Sequence, residues 1–366
     1  MSSAAPTLSH STRVLLTDMT TAGLDELVTE IAELLVRHDA AIDPDLIVVE
    51  REGHLALATS EGKHGEPFIS LPTQVLVPID GLVWDDESDH VRLTESTEPL
   101  TSVQSDLLDL HIALWNTSDK LATFRATHPR AATLEETGLR HAIARIRPSF
   151  TPGDTPRDML RTRTFTLRAG DSPSSVIMPI LELANHHPHG APYRVENGRL
   201  GANYSFIDDT ELTYVHYGPH RDAFDLACLY GYATDFTTFV VSAPMSIDLQ
   251  EFGTLTIERS VQRRTPAIWR IDEGDLRVSY LLLDARTGLF EALHRPVRDF
   301  LLSRGASKSQ ALSVAIAAAE SILRVNLQCY MNVITEAERV SHPGAATISM
   351  AAAHQRHVID VIGELA

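Results

Sequence analysis

Lysine is nearly absent from this chain of 366 residues. Lys63, Lys120 and Lys308 are the three present, so arginine carries almost all the positive charge. Positive charge is itself short: the formal net charge is -18. A groove that tracks nucleic-acid backbone needs a cationic field, and none is visible, so no nucleic-acid partner is expected. Cysteine is as scarce, with Cys228 and Cys329 alone. Two thiols 101 positions apart exclude a disulfide framework and fit a reducing, cytoplasmic setting. No apolar run approaches the roughly 18 to 20 residues of a membrane span, and no membrane partner is expected. The start, Met-Ser-Ser-Ala-Ala-Pro-Thr, lacks the basic region and apolar core of a secretory signal. Also missing are a Gly-x-Gly-x-x-Gly after a strand, a His-Glu-x-x-His and a Gly-x-Ser-x-Gly. These absences argue against a doubly wound dinucleotide fold, a zincin site and a serine-hydrolase elbow.

What is present is an ordinary globular composition, long enough for two or three domains. Residues 1–21 read as a polar lead-in. Residues 24–36 carry apolar side chains at helical spacing (Leu24, Leu27, Val28, Ile31, Leu34, Leu35). Three strands are expected at 45–49, 55–58 and 67–77. Residues 84–100 are acidic and polar and read as a loop. Helical periodicity covers 100–131. A second helix is expected over 134–146, with Thr133 as its cap and Glu136 as the cap's partner. Residues 162–167 read as extended. After a strand-rich stretch to about residue 284, two long helices are expected over 307–333 and 351–365.

Residues 176–232 hold the densest chemistry. An apolar run delivers Asn185-His186, a strand-like run delivers Tyr217-Gly218, and a short apolar segment delivers Tyr230-Gly231-Tyr232. Taken one at a time these residues have plainer uses. Asn-His after an apolar run is commonly a cap or turn. A tyrosine at an element end is commonly core, and Arg163 alone is a surface charge. His186, His187, His189, His216 and His220 suggest a metal, but Pro188 prevents helical alignment and no ligand motif surrounds them, so no metal is expected. Cys228 reads as a packed thiol.

In order along the chain, these segments resemble the SET-domain methyltransferases of the Rubisco large-subunit lysine methyltransferase type. Pro179, Glu182, Leu183, Asn185 and His186 resemble that branch's Pro-x-x-Asp-x-x-Asn-His. Tyr217-Gly218 and Tyr230-Gly231-Tyr232 resemble its Tyr-Gly and Tyr-Gly-Phe. Leu160-Arg-Thr-Arg-Thr-Phe165 resembles its Leu-x-Ser-Arg-x-Phe. Glu52-Gly53-His54, with Glu66 and Leu71-Pro72, resembles its glycine loop, Glu and Ile-Pro. Two positions depart: Leu55 stands where the family has a second glycine, and Ala223 where it has an asparagine.

The resemblance implies an α+β, SET-type fold of short β-sheets with a pseudoknot, a helical insert and a mostly α-helical C-terminal domain. The implied partition is a lead-in and helix (1–40), a catalytic core (41–84 and 158–244), an insert (85–157) and a C-terminal domain (245–366). It implies S-adenosyl-L-methionine as cofactor, held by Glu52, Gly53, His54, Arg163, Asn185, His186 and Tyr230, with Arg163 on the carboxylate. Tyr230 is the implied principal catalytic tyrosine and Tyr217 a second. Glu182 would face the substrate entrance, with Tyr204 and Tyr232 also on the substrate.

The implied reaction is N-methylation of a lysine, or a histidine, in a basic protein or peptide. A lysine with pKa about 10.4 is neutral in only about one molecule in 2,500 at pH 7, a cost of roughly 4.6 kcal/mol. An aromatic channel beside a sulfonium lowers that pKa. Two other functions fit the same residues. The arginine-rich composition suggests a GC-rich bacterial genome, where such an enzyme could act on a small amine metabolite. Leu55 and Ala223 would also suit a non-catalytic binding module.

Overall fold

The computed structural model describes residues 15–51, 54–59, 63–169, 172–207, 212–218, 220–259, 268–286 and 293–364. Glu52 and Gly53 therefore lie outside the described residues. The chain divides into two compact units, Met1–Leu121 with Arg163–Tyr217, and Ala122–Thr162 with Gly218–Ala366. Both mix helix and small sheets, the α+β class expected.

The first unit is built from short sheets. Leu46–Arg51 pairs antiparallel with His54–Thr59, and Leu16–Asp18 adds to it in parallel. The expected lead-in thus contains a strand. At three residues it is too short to show periodicity. The hairpin Arg194–Glu196/Arg199–Asn203 turns on Asn197-Gly198, both at positive φ (51° and 72°), the Asn-Gly chemistry of a tight turn that matches strand twist. Its second strand pairs with Pro67–Pro72. Leu82–Trp84 pairs with Leu93–Ser96, so the acidic stretch expected as a loop carries an exposed strand. The helix Leu24–Arg37 buries Leu24, Val28, Ile31, Leu34 and Leu35, the spacing seen in the sequence. The helix Ser102–Thr117 starts with a complete capping box between Thr101 and Gln104.

The second unit has one large apolar core. The helix Lys308–Ala337, capped by Ser307 and Gln310, packs with Pro343–Glu364, Thr137–Ile146 and Arg295–Ser303. By length and composition Lys308–Ala337 could cross a membrane, contrary to the expectation from apolar runs. Its buried residues, Ala311 to Ala337, line this core instead. The expected helix at 134–146 begins three residues late, at Thr137, after Glu136 with no side-chain cap. Thr133 instead donates its hydroxyl to Arg130 O, and Leu134 is left exposed. A four-stranded sheet, Met245–Asp248, Thr254–Ile257, Asp275–Val278 and Trp269–Asp272, completes the unit.

Candidate active site

Asn185 and His186 open the strand Asn185–Pro192, which runs parallel to Tyr214–His216. Gly190 lets them meet: a Cβ there would lie 2.7 Å from the Val215 carbonyl carbon. Two hydrogen bonds lock the motifs together. Tyr217 N–H donates to His186 Nδ1 (2.8 Å), and Tyr217 OH donates to Ala184 O (2.7 Å). Because Nδ1 accepts, the neutral His186 ring carries its hydrogen on Nε2. The structure thus brings Asn185, His186 and Tyr217 next to one another. Asn185 is exposed, and its amide makes no hydrogen bond among the described residues.

Rings continue from this lock. Tyr217 lies 4.9 Å from His186 and stacks on Tyr193 (6.4 Å, 8°), and Tyr193 meets Phe165 edge-on at 5.6 Å. Phe165, Tyr193, Tyr217, His186 and His216 thus form one row. Tyr193 was not singled out from the sequence, since nothing around Pro192-Tyr193 marks it.

The apolar run before Asn185 ends in strain. Ile180 has φ 62° and ψ -47°, and Leu181 N–H donates to Pro179 O at 2.7 Å. That is the rare γ-turn with positive φ, unusual for a β-branched residue. Strain of this kind persists where surrounding packing enforces it, and it clusters at functional sites. Ile180 is itself buried.

The turn delivers Glu182 inward, which corrects the expectation that it faces a substrate entrance. Its side chain is fully buried. Oε1 accepts from Trp115 Nε1 at 3.1 Å, and Oε2 has no partner. His111 sits beside it, with Nδ1 donating to Leu107 O at 2.7 Å. Its Nε2 lies 3.7 Å from Glu182 Oε1, beyond hydrogen-bond reach, and is also unpartnered. A carboxylate buried with one free oxygen is a costly arrangement that only a further partner would relieve.

Lys120 is also buried. Burial first, then the Arg163 charge, push its pKa from 10.5 down to about 8, against the pull of Glu182 and Glu50. Glu50 is already committed, accepting four bonds from Thr20 and Thr21 that hold its carboxyl at about 2. Arg163 is half-buried, with Nε buried and unpartnered. The lysine has a consequence for stability. Between about pH 8 and 10.5 the unfolded chain holds a proton here that the folded chain does not, so stability rises with pH across that window. Below it the full penalty applies. Lys120→Met is therefore expected to stabilise the chain at pH 7 by about 3 kcal/mol, the gain vanishing towards pH 10.5. Thermal melts across that range check it.

The remaining expected residues separate. Tyr204 is buried between Phe68 and Phe206 rings, and burial pushes its hydroxyl ionisation up, so it is core rather than substrate contact. His54 begins an exposed strand end opposite Arg51, and Leu55 is buried opposite Glu50. Among the described residues no group of three or more His, Cys, Asp or Glu side chains is placed to hold a metal.

Tyr230 and Tyr232 fall in the second unit. Tyr230 ends the helix Ala223–Tyr230, which Asp222 caps by accepting from Asp225 N–H. Gly231 closes it at φ 76°, where a Cβ would lie 2.5 Å from the His128 ring. The Arg221 guanidinium lies 5.0 Å over the Tyr230 ring. Ala223 is buried at the helix start, and Cys228 is a buried thiol whose ionisation burial pushes up.

No protein-family model and no curated protein matches the sequence. Among solved structures, the chain is similar to the SET domain of LSMT bound to lysine and AdoHcy. That similarity covers 94% of this chain and 91% of the other, at 12% sequence identity and a TM-score of 0.48.

Proposed function

We propose that the chain is an S-adenosylmethionine-dependent N-methyltransferase of the SET class, acting on a lysine, or a histidine, of a protein or peptide. The observation that carries this is the lock between Asn185-His186 and Tyr217, two motifs 31 residues apart joined by parallel pairing and two hydrogen bonds. The residues present fit the cofactor. Arg163 offers an unpartnered buried Nε to a carboxylate, and Asn185 an uncommitted amide to a polar edge.

When bound, S-adenosylmethionine supplies a methyl group on a sulfonium, which a neutral amine takes directly. The chain has to align the acceptor and keep it deprotonated. The row Phe165, Tyr193 and Tyr217 gives an aromatic wall that disfavours an ammonium's hydration shell. Tyrosine hydroxyls are suited to bond the amine. Tyr230 is assigned that role by its motif.

Incubation with methyl-labelled S-adenosylmethionine, lysine-containing peptides and a panel of small amines tests this proposal. Label on peptide lysine or histidine is expected. Label on small amines alone points to the metabolite alternative. No label on any acceptor, with the cofactor still bound, leaves a binding module and contradicts the enzyme.

A further inference from the structure

The turn that leads into Asn185-His186 is held in a conformation that its own residues disfavour. Ile180 sits at φ 62°. The residues after it are pinned by Glu182 N–H to Met178 O (2.9 Å), Leu183 N–H to Ile180 O (3.0 Å) and Ala184 N–H to Leu181 O (3.2 Å). Positive φ at a β-branched residue persists only where the surroundings over-determine it. One side-chain hydrogen bond ties this turn to the helix Ser102–Thr117: Trp115 Nε1–H donates to Glu182 Oε1 at 3.1 Å, across 67 residues. Packing alone does not account for a polar tie here. Both side chains are buried, yet Glu182 Oε2 and the neighbouring His111 Nε2 have no partner among the described residues. An apolar side chain would fill that space at less cost than a half-satisfied carboxylate. What the carboxylate adds is direction, because a hydrogen bond has a length and an angle that fix where the turn sits.

We propose that Trp115 and Glu182 are positioning residues for cofactor binding: their hydrogen bond holds the turn at 179–184 so that Asn185 and His186 meet Tyr217 in register. This rests on the use of S-adenosylmethionine proposed above. Both side chains are buried and act through the backbone, not by touching the ligand. Ala184 is the link. Its carbonyl accepts from Tyr217 OH at 2.7 Å, and Asn185 pairs with Tyr214 directly after it. Without the tie, Ile180 is free to leave the positive-φ region. Rotation there moves Ala184 O away from the Tyr217 hydroxyl and swings the exposed Asn185 amide. The lock and the amide thus depend on a bond made two and three residues upstream.

A tie differs from a charge and from a packing contact in what replaces it. Gln at 182 keeps an oxygen that accepts the same indole N–H, so it serves as a tie and fails as a charge. Leu at 182 keeps bulk and removes the acceptor, and Phe at 115 keeps a ring and removes the donor. One bond is lost whichever partner goes, so the two losses should coincide, not add. Replacing both partners by apolar groups leaves no indole N–H or carboxylate stranded and is neutral or stabilising for the fold. Affinity and stability therefore part company in the double variant, which a purely structural role does not allow.

The test is calorimetric titration of the full chain with S-adenosylhomocysteine, with thermal melts of the same proteins. Trp115→Phe, Glu182→Leu and the two combined are each expected to weaken binding about 10-fold, the combination matching the single variants within about 2-fold. Glu182→Gln should stay within about 2-fold of the wild type. The combined variant should melt at or above the wild-type temperature. Unchanged affinity in the combined variant, losses that add, or an equal loss in Glu182→Gln overturn the positioning role while wild-type binding keeps the proposed function. Affinity that falls only together with the melting temperature overturns it as well, leaving a contact that serves the fold. A wild-type chain that binds no S-adenosylhomocysteine overturns both.

Discussion

Asp225→Ala is expected to remove about 3 to 5 kcal/mol of folding stability. The Asp225 carboxylate is fully buried on the helix Ala223–Tyr230. It accepts from Arg147 and from Arg259 Nη2, the latter at 2.7 Å. Arg259 also donates to Val241 O at 3.0 Å. Burial works against the charge on Arg259, but Asp225 and then Asp222 outweigh it and hold its pKa above the usual value. Asp222 accepts from the backbone N–H groups of Asp225 and Val241. Burial first, and Asp225 second, push its own pKa up to about 6. Truncating Asp225 removes the anion that Arg147 pairs with and leaves Arg259 with only the more distant Asp222 carboxylate, at 3.9 Å. Replacing a whole ion network with apolar groups can be neutral, but removing one member is not. Urea unfolding checks this, and a loss under about 1 kcal/mol would show that water or another carboxylate takes over. The network fixes the helix that ends in Tyr230, the tyrosine proposed above as catalytic.

The second large effect falls on that tyrosine. Tyr230→Phe is expected to slow single-turnover methyl transfer by about 100-fold. Cofactor affinity should stay within about 2-fold, because in the proposed role the hydroxyl acts on the reacting centre and the ring remains. Arg221 over the ring and the left-handed Gly231 behind it hold the side chain's position in either variant. Unchanged turnover would move the role to Tyr217, whose hydroxyl is already committed to Ala184 O.

Where the sequence carried enough signal, elements and structure agree for physical reasons. Lys308–Ala337 and Leu24–Arg37 have long periodic faces, and periodicity sums over many residues. Leu16–Asp18 and Leu93–Ser96 are short and polar or edge-exposed, so pattern had nothing to sum. The capping-box pattern at Thr133 and Glu136 misled because the intervening Leu134 points to solvent, and the helix waits for Leu139 and Ile143 to reach the core. In the site, Asn185, His186 and Tyr217 were legible as one group because their motifs come in order. Glu182 was not, because its partner Trp115 lies 67 residues upstream. Lys120 was visible as a rare residue, but its burial is a property of the folded unit alone.

The proposed function requires S-adenosylmethionine or its product to bind at the locked Asn185-His186 segment. Calorimetric titration with S-adenosylhomocysteine tests it most directly, with Asn185→Ala beside the wild type. Saturable one-to-one binding at micromolar concentration, weakened in Asn185→Ala, is the predicted result. No heat of binding at millimolar concentration would contradict it.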